Sequence, residues 1–254
     1  MTAPPDIVLD AFGVTGPARL LAGGQGTSWT AGGLVFKPEA GPLQQWLGET
    51  LGNVARDGFR LAAQARTRDG DWSRHGWSAT EWVDAAAPDF SDVGVWAEIL
   101  AAARAFHQAV AHLERPAFLD GRRDRWAEAD RIVWAESDMP LRTALAARLC
   151  RALDGDEEPA QLIHGDLCGN ILVTPMLPPV VIDVSPYWRP VSFAEGMIVA
   201  DALCWHGAPA DLHDRLTVPA PAVARGLLFR MVTDQIAGVS NLDRYEQVAD
   251  ALGY

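Results

Sequence analysis

The chain has 254 residues, 49% hydrophobic and 21% charged, enough for one sizeable domain or two small lobes and unlike a disordered segment. Its net charge of −12 repels phosphate backbones and anionic lipid, so neither nucleic acid nor a membrane surface is expected as a partner. No leader of basic then apolar residues is visible, no run reaches the ~18 apolar residues of a membrane span, and Cys150, Cys168 and Cys204 form no CxxC pair. These features predict a cytoplasmic protein.

In chain order, residues 1–83 read as β-rich. Short strand-like runs at Leu20-Leu21, Ser28 to Thr30 and Leu34 to Lys37 are separated by Gly23-Gly24-Gln25-Gly26 and by Gly32-Gly33. The second glycine pair marks a hairpin. Pro42 to Leu51 predicts a short helix with Pro in its first turn, followed by strands near Phe59 to Ala62 and Trp77 to Val83. Asp84 to Pro88 reads as a connector. From Gly94 to Leu113, Val95, Ile99, Ala102, Phe106, Val110 and Leu113 recur at spacings of three and four, the pattern of an amphipathic helix. Further helices are predicted over 122–136, 141–153, 193–205, 220–238 and 242–252. Between them, Gln161 to Pro190 is non-helical and carries two apolar runs, Ile171 to Val173 and Val180 to Ile182. The expected layout is a β-rich lobe over 1–83 and a helical lobe over 84–254, with a ligand in the crease between them.

Of the 21 basic residues, 20 are Arg and one, Lys37, is Lys. A compact ammonium and a planar guanidinium are not exchangeable in a tight site, so Lys37 stands out. On a strand, Lys37 shares a face with Val35, while Leu34 and Phe36 share the other. A glycine turn at 23–26 offers backbone N–H groups for phosphate oxygens, although such turns are common and the signal alone is weak. No GxxxxGK[ST] is present, which argues against a P-loop.

The most informative segment is Ile163-His164-Gly165-Asp166-Leu167-Cys168-Gly169-Asn170-Ile171-Leu172-Val173, followed by Val180-Val181-Ile182-Asp183. It sets an Asp and an Asn in a tight loop and a second carboxylate at the end of an apolar run. Phosphoryl transfer from ATP calls for that set: one carboxylate to orient the attacking hydroxyl and accept its proton, an amide and a second carboxylate to hold Mg²⁺. A carboxylate closing a buried run is costly unless paired or metal-bound, which singles out Asp183.

This segment resembles the aminoglycoside phosphotransferase and choline kinase-like branch of the protein-kinase-like superfamily. His164 to Leu172 and Ile182-Asp183 match the branch's catalytic motifs, and Asp183 to Pro190 looks most like a little-characterised bacterial subgroup. The resemblance implies an α+β, two-lobed protein-kinase-like fold with a small β-rich N-lobe and a larger helical C-lobe. It implies Asp166 as catalytic residue and Asn170 and Asp183 as Mg²⁺ ligands. Lys37 would contact the ATP phosphates, with Gly24, Gln25, Gly26, Thr27 and Ser28 alongside, and Val35 would lie against adenine. The backbone at Glu81 and Val83 would meet the adenine edge. Glu49 is the expected acidic partner of Lys37, with Glu39 as rival. Trp188, Arg189 and Asp201 fall where the branch builds its acceptor pocket.

One departure from the branch stands out. Only Leu167, Cys168 and Gly169 separate Asp166 from Asn170, one residue fewer than usual. Deleting one residue turns the Asn side chain unless the backbone adjusts, an adjustment that Gly169 would permit. The implied activity is ATP- and Mg²⁺-dependent transfer of phosphate to the hydroxyl of a small, cationic molecule such as an aminoglycoside or amino sugar. The short loop motivates an alternative, a degenerate kinase-like protein that binds nucleotide without transfer. Trp46, Trp96, Trp126 and Trp134 read as packing residues, and His164 as a brace for the loop.

Overall fold

The computed structural model describes residues 2–22, 26–141, 143–153 and 158–254. Near the N-terminus, β1 (Arg19–Leu20), β2 (Trp29–Ala31), β3 (Leu34–Lys37) and β5 (Ser78–Glu81) form an antiparallel sheet in the order β1-β2-β3-β5. The β2–β3 turn is Gly32-Gly33, both at positive φ, as the glycine pair predicts. The period-two reading of β3 also holds. Phe36 is fully buried on one face, where its ring meets Phe12 edge-on with centroids 5.5 Å apart. Val35 and Lys37 look into a cleft on the other face.

The face behind Phe36 is covered by α1 (Asp6–Ala11), which contributes Val8 and Leu9 to that core. This helix is absent from the sequence reading. It spans six residues, and its N-cap, Pro5, makes no side-chain capping bond. Next come α2 (Pro42–Glu49) and a 3₁₀ turn at Leu51–Asn53, then β4 (Arg60–Leu61).

Strand β4 departs from expectation. It pairs in parallel with β8 (Leu177–Val181), joining β7 (Ile171–Thr174) in a sheet ordered β4-β8-β7. Only afterwards does the chain return to β5: Ala65 N–H donates to Ala79 O and Glu81 N–H to Ala63 O, each at 2.8 Å. Residues 60–65 therefore tie the two sheets together across the cleft. Leu51 and Phe59 likewise join the core of α3 (Val95–Val110), where Phe59 packs edge-on against Phe106. Within α3, Val95, Ile99, Ala102, Phe106 and Val110 are all buried, as their spacing predicts.

The remaining helices are α4 (Arg125–Val133), α5 (Ala144–Arg151), α6 (Val191–Trp205), α7 (Leu212–Arg215), α8 (Ala220–Ala237) and α9 (Leu242–Ala251). Side chains start two of them: Asp124 accepts from Ala127 N–H and Thr143 from Ala146 N–H. α8 stops at Gly238, whose φ of 68° is the left-handed conformation suited to glycine. The stretch expected to hold one small hairpin also contains β6 (Gln161–His164) and β9 (Pro186–Arg189), paired antiparallel. Trp96 is fully buried, and Trp46, Trp126 and Trp134 pack against the cores.

Helices α6 and α8 cross at two glycines. A Cβ on Gly196 would lie 2.1 Å from Ala222 O, and one on Gly226 would lie 2.8 Å from Gly196 O. The neighbours are backbone atoms, which cannot swing away, so any side chain forces the helices apart. Gly196→Ala is therefore expected to destabilise by at least the ~1–3 kcal/mol of ordinary overpacking. Thermal unfolding should show it as a fall of roughly 2–4 °C per kcal/mol.

Candidate active site

The cleft faced by Val35 and Lys37 encloses about 440 Å³. One wall is the N-terminal sheet with Ser28, Val35 and Lys37, the chain through Glu81 and Val83 closes one end, and Asn170, Ile182 and Asp183 form the opposite wall. Within its lining Lys37 Nζ lies 2.5 Å from Asp183 Oδ2. Asp183 is held at a φ of 51°, a left-handed conformation that Asp tolerates better than most residues. The single lysine and the carboxylate after the apolar run thus meet, although 146 positions apart in sequence.

Glu49, expected as the acidic partner of Lys37, does not line the cleft. Glu49 is exposed and accepts from Gln45 Nε2 at 3.1 Å, turned along its own helix. Glu39 is the acid at the cleft, where partial desolvation raises its carboxyl, Lys37 pulls it down and Asp183 pushes it up. Gln44, buried on α2, donates to Glu39 Oε2 at 3.5 Å. Of the glycine turn, Gly24 and Gln25 lie outside the described residues; Ser28 is buried against the cleft, and Gly26 is at positive φ. Thr27 precedes Ser28 but does not line the cleft.

The loop from His164 to Asn170 is organised by a neutral imidazole. Burial lowers the His164 pKa, so the ring works as acceptor at Nδ1 and donor at Nε2. Nδ1 accepts from Asp166 N–H at 3.1 Å, and Nε2 faces Ile182 O at 3.3 Å. A second buried ring lies behind it: His107 Nε2 accepts from His164 N–H at 3.1 Å, and burial pushes the His107 pKa down to about 3. His164 therefore connects the Asp166 loop to the segment carrying Asp183.

This brace sets a pH dependence. A histidine whose folded pKa is depressed stabilises the fold above its unfolded pKa of ~6.5 and loses that contribution as pH falls toward the folded value. For His107 the window runs from pH 6.5 down to about 3. At pH 5 its share of the loss is about 2 kcal/mol. Thermal midpoints measured between pH 7.5 and 5 should fall steeply in the wild type and less in His107→Gln.

The short Asp166–Asn170 loop closes as a turn, with Asn170 N–H donating to Leu167 O at 3.0 Å. The Asn170 amide then points back at Asp166, donating to its backbone O at 2.7 Å and to Oδ2 at 3.1 Å. The Asn170 carbonyl accepts from Ile182 N–H at 2.9 Å, which fixes it beside Asp183. Gly169 is not in the left-handed region. Cys168 is buried and its thiol is raised far from thiolate character, which leaves it a packing residue.

The other oxygen of Asp166 has a partner the sequence reading missed: Arg230 Nη2 on α8 donates to Oδ1 at 2.7 Å. Arg230 also clamps Asp201, through Nε to Oδ1 at 2.8 Å and Nη2 to Oδ2 at 2.5 Å. Asp201, expected in the acceptor pocket, is thus buried in an ion pair. Arg189 is likewise engaged by Asp130 and Glu136, each at 2.7 Å. Trp188 is half-buried on β9 and packs against the α3 core. Among the described residues, no three or more His, Cys, Asp and Glu side chains form a metal cage. A carboxylate with one amide oxygen nonetheless suits Mg²⁺, which keeps water and phosphate among its ligands.

No family model and no curated protein sequence matches the chain. Solved structures do. An aminoglycoside phosphotransferase from Alicyclobacillus acidocaldarius superposes with a TM-score of 0.66 at 16% identity, covering all of this chain and 94% of that one. The chain has the fold of the aminoglycoside phosphotransferases and choline kinases. A choline kinase from Streptococcus pneumoniae gives a TM-score of 0.59 at 11% identity, covering 98% of both chains. A thermostable variant of aminoglycoside phosphotransferase APH(4)-Ia, solved with ADP and hygromycin B, gives 0.62 at 13%, covering 98% of this chain and 96% of that one. The expected α+β kinase-like fold is therefore present along the whole chain. Among the described residues, no helix of this aminoglycoside-phosphotransferase-like fold is long and apolar enough to cross a membrane.

Proposed function

We propose that the chain is an ATP- and Mg²⁺-dependent O-phosphotransferase acting on the hydroxyl of a small molecule. The observation that carries this reading is the meeting of Lys37 with Asp183 in a cleft whose wall also holds Asn170, itself bonded to Asp166. Lys37 neutralises phosphate oxygens, with Ser28 in the same cleft wall. Val35 supplies an apolar surface for the adenine, and the Glu81 carbonyl and Val83 N–H offer its edge an acceptor and a donor. Glu81 uses its own N–H on Ala63 O.

Asn170 and Asp183 are the residues that would hold Mg²⁺. When bound, the ion neutralises charge on the phosphates. Asp166, still partly open to solvent, accepts the hydrogen bond of the acceptor hydroxyl, aligns its oxygen and takes its proton. Most of the rate enhancement in such transfer comes from positioning and charge stabilisation, and the hydrogen bonds around Asp166 supply the positioning.

The acidic balance of the chain favours a cationic acceptor, an aminoglycoside or amino sugar, since negative clefts concentrate cations. Of the residues expected to contact the acceptor, Trp188 remains a candidate; Arg189 and Asp201 are committed to internal ion pairs. The nucleotide-binding reading without transfer drew on the short loop, and the Asn170–Asp166 bonds weaken it. The test is phosphate transfer from ATP, with and without Mg²⁺, across a panel of hydroxylated amines and amino sugars. Acceptor-dependent ADP release that requires Mg²⁺ supports the reading. Mg²⁺-indifferent nucleotide binding with no turnover on any acceptor would overturn it.

A further inference from the structure

Arg230 is half-buried on α8, its side chain 15% exposed, and one of its N–H groups reaches the carboxylate proposed to take the acceptor's proton. Its guanidinium is oriented by Asp201. The Nε–H and one Nη2–H clamp the two oxygens of Asp201, so the remaining Nη2–H is aimed at Asp166 Oδ1. Gly226 stands one helical turn before Arg230, and its contact with Gly196 fixes how closely α8 approaches α6, which carries Asp201. Asp201 is only 6% exposed, so it has little room to relax. The aim of the guanidinium is thus determined by packed backbone.

The consequence falls on Asp166. With Arg230 on Oδ1 and the Asn170 amide on Oδ2, its carboxylate is held at both ends and cannot rotate. The geometry points to Arg230 as a positioning residue for phosphoryl transfer, which through the Asp201 clamp fixes the Asp166 carboxylate in the orientation that receives the acceptor hydroxyl. This rests on the phosphotransferase reading. It acts through Asp166 alone, and Arg230 does not line the nucleotide cleft.

Removing the guanidinium alone would strand a buried Asp201 charge and risk the fold. The decisive variant is therefore the double substitution Asp201→Asn with Arg230→Gln, which removes both charges together, compared with Arg230→Lys. If Arg230 positions Asp166, the double variant keeps nucleotide affinity and KM for ATP but loses about 100-fold in kcat, the size of effect a misplaced catalytic group produces. Arg230→Lys, which retains a cation but not the fork, recovers part of that loss. An unchanged kcat in a folded double variant would overturn the inference, as would a loss confined to ATP affinity.

A crystal structure of the double variant separates this from the fate of the functional reading. Asp166 swung away from Asn170, with the loop backbone unchanged, supports the positioning role even if no acceptor is ever turned over. An unmoved carboxylate refutes it even in an active enzyme.

Discussion

Replacing Asp166 by Asn is expected to lower kcat for acceptor phosphorylation by about 10³-fold, within the range for loss of a general base. Affinity for the nucleotide should be nearly unchanged. The separation follows from geometry. Asp166 does not line the cleft that holds Lys37 and Asp183, but reaches it through the Asn170 amide. Asn has nearly the same volume and can keep a carbonyl oxygen toward Arg230; its NH2 then loses the bond from the Asn170 amide, but that amide still donates to the backbone oxygen of residue 166, so the loop should stay folded. Single-turnover kinetics with saturating ATP distinguish a loss in the chemical step from slow product release. A loss of nucleotide binding equal to the loss of rate would mean that Asp166 belongs to the nucleotide site instead.

The clustering of the candidate site residues was legible because it is local: His164, Asp166, Asn170 and Asp183 fall within twenty residues, and a turn and two apolar runs suffice to juxtapose them. The face of β3 was legible for the same reason, since alternation along Leu34 to Lys37 alone decides which side chains share a side. What could not be read depends on contacts between distant segments. Arg230 is one of 20 arginines, set in the middle of α8, and only the glycine crossing of α6 and α8 gives it a direction.

Strand β4 looks like any short apolar run until its parallel partner, more than a hundred residues away, is known. The choice between Glu49 and Glu39 turned on the rotation of α2, which presents Gln44 to the cleft and leaves Glu49 exposed. The surroundings of Arg189 and Asp201 likewise depend on distant segments. Arg189 and Asp201 are charged side chains in the expected region, but nearby counter-charges draw them inward.

Lys37 should prove as demanding as its isolation in the sequence suggests. Lys37→Ala is expected to lower kcat/KM for ATP by about 10²–10³-fold, the cost of losing one preorganised positive group facing developing phosphate charge. Lys37→Arg should recover little, because the guanidinium is wider and flatter than the ammonium that meets Asp183 at 2.5 Å. Asp183→Asn makes the complementary test. It keeps the size of the side chain and removes the charge that pairs with Lys37 and would hold Mg²⁺. Calorimetry of a nonhydrolysable ATP analogue should then show the Mg²⁺ dependence of binding lost in Asp183→Asn but retained, at lower affinity, in Lys37→Ala. If both variants bind the magnesium–nucleotide complex as the wild type does, the 2.5 Å pair between Lys37 and Asp183 is an ordinary ion pair, and the cleft must serve another ligand.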